Sequence, residues 1–321
     1  MTTALRRLGR VVLLSERRAA KAATWGPELD RMLAGRTLGV AFQPILRRLS
    51  SGAHDSRWRI AGTEALLRAR ADRRPALRPD KLLPVIARAG LMHRVFQFVL
   101  AETLAATRTW EREAGLRLDL SVNLHATALL DNDLPRFLLE LLDAVECTPQ
   151  RLTLELTESA PIADLQRAAA NARLLRRSGV RLALDDFGVG FSTATRLAWI
   201  ECDELKIDRA VVRGMEHCEE QCYLVEHLLT LAHAHGMTAC AEGVETEAAL
   251  QMLGALGCDR VQGYLIARPV EAHVIPALTR EWCARGAVWR PSGSVQMSLP
   301  GLAVDADAVT GFWPGTAIDG V

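Results

Sequence analysis

Residues 182–192 read Leu182-Ala-Leu-Asp185-Asp186-Phe-Gly188-Val-Gly190-Phe-Ser192. The short apolar run predicts a buried strand that stops at two adjacent carboxylates and turns into a glycine-spaced loop. Two like charges at a strand end are costly unless a cation or water meets them. Taken alone, the pair also reads as a solvated turn. It gains meaning because the same arrangement recurs along the chain.

Working outward, short apolar runs at 118–124, 152–156, 180–185, 204–207, 238–241 and 260–264 read as strands. Amphipathic helical stretches at 133–145, 162–177, 219–235 and 245–256 lie between them, with room for only a brief helix between Asp186 and Glu204. This alternation predicts a parallel sheet with helical crossovers. Two earlier strands, 41–46 and 60–68, are joined by a stretch containing Ser50-Ser-Gly52 and no helical pattern, so an antiparallel connection is predicted. Two helices, broken near Gly90, occupy 79–113, and a last helix at 271–285 is expected to close the barrel. Eight strands in this order predict an α/β fold: a (β/α)8 TIM-like barrel whose first strand is antiparallel. A doubly wound sheet is the alternative, but no GxGxxG or GK[ST] loop opens a βα unit.

The chain has 321 residues, 49% of them hydrophobic, enough for a large core. Its net charge of +1 argues against a binder of nucleic acid polymers. Seven scattered cysteines with no CxxC pair fit a reduced, cytoplasmic protein. No apolar run approaches bilayer length, and Val11–Leu14 is too short for a signal-peptide core. Residues 1–30 form a basic helical extension. Over 1–24, Arg6, Arg7, Arg10, Arg17, Arg18 and Lys21 stand against Glu16 alone, and a solvated helix is favoured there over membrane contact. The barrel is expected over 31–285. The tail, 286–321, carries a single Arg, at 290, and is either disordered or docked through Phe312-Trp313-Pro314.

Polar residues fall at successive strand ends: Glu64, Asn123, Glu155, Asp185-Asp186, Lys206, Glu242 and Gln262. In a barrel these positions converge on one rim. Carboxylates with an Asn, and neither His nor Cys among them, suit Mg²⁺ or Mn²⁺ rather than zinc. A cluster able to hold two ions points to phosphodiester hydrolysis, with Lys206 as a compact charge for the water or the developing anion. His125 reads as a loop residue rather than a ligand. The pair His233-Ala-His235 ends a helix and belongs to the opposite rim.

These residues resemble the EAL-domain phosphodiesterases of bacterial cyclic di-GMP signalling. The motifs are Glu64-Ala-Leu-Leu67-Arg68, Phe42-Gln43-Pro44, Ser121-Val-Asn123-Leu124, Glu155-Leu-Thr-Glu158-Ser159, Asp185-Asp186-Phe-Gly188, Leu205-Lys206-Ile-Asp208-Arg209, Ala241-Glu242-Gly-Val-Glu245 and Gln262-Gly-Tyr264. Their order and spacing cover roughly 35–275. The resemblance implies that Glu64, Asn123, Glu155 and Asp185 bind one metal. Asp185 would bridge to a second, with Asp186 there and Glu242 close by. It also implies that Lys206 positions the attacking water, that Glu242 is a candidate base and that Gln262 orders water. Gln43, Leu67 and Arg68 are the implied substrate contacts, Glu158 steadies the loop 187–195, and Glu245 lies near the site. The implied product is the linear dinucleotide pGpG, and the implied assembly is a homodimer through the region of strands five and six.

The sequence departs from the family pattern at Ala69, where an aromatic is usual, and at Val189 and Phe191, which remove hydroxyls from the loop. Those losses bear on loop order, dimer coupling and catalytic efficiency. The alternative is therefore a weak or inactive cyclic di-GMP receptor or adaptor that keeps the fold. A hydrolase of another phosphoester is a third reading, against which Gln43 and Arg68 stand.

Overall fold

The computed structural model describes residues 38–49, 58–69, 79–88, 90–157, 164–189 and 200–284. The basic extension at 1–30 and the tail at 286–321 lie outside them, as does the brief helix expected before Glu204.

Eight strands close into a barrel in sequence order: β1 (Leu38–Arg48), β2 (Trp58–Ala69), β3 (Asp119–His125), β4 (Leu152–Thr157), β5 (Arg181–Phe187), β6 (Glu204–Ile207), β7 (Thr238–Ala241) and β8 (Arg260–Val261). The intervening helices are α1 (Pro79–Arg88), α2 (Met92–Ala114), α3 (Leu134–Ala144), α4 (Leu165–Arg177), α5 (Arg209–Val212), α6 (Glu219–Ala234), α7 (Glu247–Ala255) and α8 (Ile275–Ala284). β1 runs antiparallel to both neighbours, β2 and β8, while the rest pair in parallel. The stretch between β1 and β2 is too short for the crossover a parallel pair needs. None of the described helices is long and apolar enough to cross a membrane.

β8 ends at Val261 rather than continuing to residue 264. Gly263 leaves the ladder to pack against the backbone at Val244, where an added Cβ would stand 2.0 Å from the carbonyl oxygen. The barrel is closed by the β1–β8 pairing and by a bridge between Phe42 and Val270, not by the final helix. That helix, α8, lies against β2, with Trp282 Nε1 donating to the Trp58 carbonyl at 3.3 Å. Trp110 of α2 locks the same corner. Its ring meets Phe42 edge-on at 5.0 Å, and its Nε1 donates to the Ala272 carbonyl at 2.8 Å.

Strand alternation sends Leu120, Val122, Leu152, Leu154, Leu182, Leu184, Leu205 and Ile207 outward into the buried core beneath the helices. The inward positions are small or polar: Ser121, Thr153, Ala183, Cys240, Glu204 and Arg260 are all buried. This interior differs from the bulky branched layers usual in such barrels. Its floor is ionic. Arg260 reaches Asp119 at 2.9 Å and Glu204 at 3.5 Å, and Arg181 reaches Glu204 at 3.2 Å. Burial disfavours the charge on Arg260, but Glu204 and Asp119 outweigh it and raise its pKa.

Breaking a buried pair strands the partner's charge, at a typical cost of about 3–5 kcal/mol. Arg260→Leu is therefore expected to lower stability by about that amount in urea denaturation. The double variant with Glu204→Gln should recover part of the loss, a non-additivity that a mere packing defect would not give.

Candidate active site

The polar strand ends converge on one hollow, with Lys206 at its centre. Its Nζ lies 2.5 Å from Glu242 Oε1, 2.7 Å from Glu155 Oε2, 3.1 Å from Asp185 Oδ1 and 3.7 Å from Glu64 Oε2. An ammonium has three protons, so it cannot hydrogen-bond four carboxylates at once. Lys206 is 1% exposed and Glu155 fully buried, so bulk water does not screen this cluster.

The amides fasten the acids. Asn123 Nδ2 donates to Glu64 Oε1 at 2.8 Å, and Gln262 Nε2 donates to Glu64 Oε2 at 2.6 Å and to Gln43 Oε1 at 3.0 Å. Gln43 Nε2 in turn donates to the Ala267 carbonyl at 3.2 Å. Register accounts for these contacts: Gln43 pairs with Glu64 across β1 and β2, and Glu64 pairs across β2 and β3 with Ser121, which lies two residues before Asn123 on the same face.

Asp185 and Asp186 pose a geometric problem, since neighbours in a regular strand face opposite sides. The β5–β6 register solves it. Leu184 pairs with Leu205 and Phe187 with Ile207, so β5 carries one extra residue, a bulge. Asp186 takes the strain with φ +54°, a conformation a short polar side chain tolerates better than most. As a result Asp185, Asp186 and Glu242 each place an oxygen within 4.8 Å of the others.

Electrostatics mark the cluster as short of positive charge. Burial drives the Glu155 carboxyl well above its ordinary range, and Glu64 adds to this against the pull of Lys206. Burial, with Asp185 and Glu64 adding, pushes Glu242 to about 8 although Lys206 opposes the rise. Asp186 rises to about 6 through burial, Asp185 and Asp208. Glu64 feels burial most, yet Lys206 and the amides of Gln262 and Asn123 outweigh it and lower its pKa. Burial works against the charge on Lys206, but the surrounding acids raise its pKa well above normal. The donors fit hard divalent cations: they are all oxygens, and Glu155 Oε1 and Gln262 Oε1 are buried without a hydrogen-bond partner among the described residues.

Two cavities open from this cluster. One, of about 560 Å³, includes Gln43, Glu242, Glu245 and Tyr264 in its wall. The other, of about 960 Å³, runs over Leu67, Arg68, Pro84, Met92 and Phe96. Glu245 pairs with Arg213 at 3.3 Å, and Arg68 donates to the Leu67 carbonyl at 2.9 Å. Glu158 lies outside the described residues. His125 is not a loop residue: it ends β3 and lines the larger cavity, with Nδ1 2.7 Å from Thr127 Oγ1. The opposite-rim reading of His233 agrees with its 2.8 Å contact to Asp259, at the entry to β8. Sequence reasoning gave no role to Asp208, Arg209 or Tyr264, which also line the smaller cavity. Asp208 was within reach, because it follows Lys206 by the two residues that keep a strand side chain on one face.

Residues 27–269 match the family described as EAL domain. The chain is 32% identical over 218 residues to the bifunctional diguanylate cyclase/cyclic di-GMP phosphodiesterase MucR of Pseudomonas aeruginosa, covering 68% of this chain and 32% of MucR. It is 31% identical over 217 residues to the cyclic di-GMP phosphodiesterase RocR of the same organism, covering 67% of this chain and 55% of RocR. A solved structure titled as the PaMucR phosphodiesterase in complex with c-di-GMP superposes with a TM-score of 0.68 at 29% identity, over 78% of this chain and 98% of that one. The chain thus spans about a third of MucR and about half of RocR.

Lys206→Met would leave four carboxylates facing one another. Unfolding in chelator should show a loss of about 3–5 kcal/mol at pH 8. The deficit should shrink toward pH 5, because protonation relieves the repulsion. A loss independent of pH would mean that packing, not charge, is what Lys206 supplies.

Proposed function

The chain belongs to the EAL domain family, and on that premise we propose that it is a cyclic di-GMP phosphodiesterase that opens one ester of the ring to give linear pGpG. The observation that carries this reading is the gathering of Glu64, Asn123, Glu155, Asp185, Glu242 and Gln262 around Lys206 in one linked network. The similarity to the MucR phosphodiesterase supports it.

Glu64, Asn123, Glu155 and Asp185 would hold one Mg²⁺ or Mn²⁺, and Asp185, Asp186 and Glu242 a second. Such a pair supplies Lewis acidity toward the phosphoryl oxygens and lowers the pKa of water. The protein's own groups do the rest. Lys206 holds the carboxylates in place and presents its ammonium to the attacking water and the charge that develops at phosphorus. Glu242 is placed to take the water's proton. Gln262, with its carbonyl oxygen unpartnered, accepts a hydrogen bond from water in the hollow. Gln43, Leu67 and Arg68 bind the substrate, the guanidinium fork matching a phosphate oxygen pair. Glu245 supports the rim through Arg213. The new bond joins water oxygen to phosphorus, and the ester oxygen departs with a proton. A homodimer through the β5–β6 region belongs to the same proposal, and Val189, just past β5, exposes its side chain there.

Purified protein with Mn²⁺ should convert cyclic di-GMP to the linear form, and chelation should stop it. Glu64→Ala should lower turnover by about a hundredfold or more, the scale of losing a central electrostatic group. Undiminished turnover in that variant overturns the assignment. Cation binding must also displace the Glu242 proton, held with a pKa of about 8. Mn²⁺ affinity should therefore rise with pH and level off above about 8, with proton uptake by the buffer visible in calorimetry at pH 7.

A further inference from the structure

Glu64, Leu66, Asp185, Asp186 and Arg209 line both cavities, and Arg209 is the one cation among them. An anionic ligand spanning the two cavities must cross this junction, where three of the five side chains carry carboxylates. The other described cations nearby lie off this junction. Lys206 faces four carboxylates, Arg68 and Arg88 line the larger cavity alone, Arg68 spending one of its five N–H groups on the Leu67 carbonyl at 2.9 Å, and Arg268 stacks over Tyr264 at 4.3 Å. Arg209 is exposed, and among the described residues its guanidinium has neither a hydrogen-bond nor an ion-pair partner.

The base of this side chain is held firmly. Arg209 is the first residue of α5, whose N-cap Asp208 accepts from Ala210 N at 2.7 Å. On the other side the backbone of Gly243, at φ +69°, comes so close that an added Cβ would stand 2.4 Å from Arg209 Cβ and 3.1 Å from its Cα. The loop after β7 thus needs glycine there to admit Arg209, and it is the same loop that carries Glu242. The guanidinium is what remains at the junction to meet a ligand.

Resting on the function proposed above, we propose that Arg209 is a substrate-binding residue, a clamp for a phosphate of the cyclic dinucleotide where the ring passes between the cavities. The ring has two phosphodiesters. While one is held at the carboxylate cluster for cleavage, the other needs a cation of its own, and a planar guanidinium offers two parallel donors to phosphate oxygens.

Titration calorimetry of the full chain loaded with Ca²⁺, an oxygen-seeking ion suited to the same donors, measures cyclic di-GMP binding apart from turnover. Arg209→Ala is expected to weaken binding about ten- to hundredfold, the scale of a lost charge-assisted hydrogen bond. Arg209→Lys, which keeps the charge and loses the fork, should fall between the two and stands in if the alanine variant does not fold. Ca²⁺ affinity and melting temperature should match the wild type in both. Binding by Arg209→Ala within twofold of wild type overturns the clamp, and so does a loss matched by an equal loss of Ca²⁺ affinity. Failure of the wild type to bind cyclic di-GMP refutes the proposed function itself, and the clamp with it.

Discussion

The single buried ammonium of Lys206, surrounded by Glu64, Glu155, Asp185 and Glu242, is the interaction on which the rest of the molecule depends. Four carboxylates so close together repel one another strongly in a poorly screened interior, and one lysine cannot neutralise them. The cluster persists because its acids are fixed to different strands of a closed sheet. Each is tied to Lys206, and Glu64 is also held by Asn123 and Gln262. The same shortage of positive charge makes the hollow receptive to divalent cations.

That cluster rests on an ionic floor. Asp119, Arg181, Glu204 and Arg260 pair at the lower end of the strands, and small side chains such as Ser121, Ala183 and Cys240 lie between the two polar tiers. The apolar core has been displaced to the outer face of the sheet, beneath the helices. The outward leucines and valines supply the burial that folds the chain, while the inward positions are left to charge. The reversed direction of β1 contributes as well, for it brings Gln43 beside Glu64 and within reach of Gln262.

Much of this was legible in the sequence, and the rest was hidden for definite reasons. Alternating apolar runs announced the eight strands, and the polar residues ending them named the site, because both follow from a period of two and a common rim. The floor was not announced: Asp119, Arg181, Glu204 and Arg260 look like ordinary charged residues at strand starts until the register aligns them. The length of β8 was overestimated because Gly263 departs to meet Val244, a tertiary contact without a local signature. His125 read as loop, since only the pairing of His125 with Thr157 shows that β3 extends that far. Arg209 closes the Leu205-Lys206-Ile-Asp208-Arg209 run with nothing in its spacing to mark it. Its significance comes from the wall shared by two cavities, which no spacing reveals.

The bulge that turns Asp185 and Asp186 toward the same hollow rests on one additional amino acid in β5. Removing either member of the pair would restore the regular pleat and leave that strand with a single inward acid, while every other stave kept its register. The number of anionic donors offered by this wall is therefore governed by a three-base insertion or deletion rather than by a redesigned scaffold.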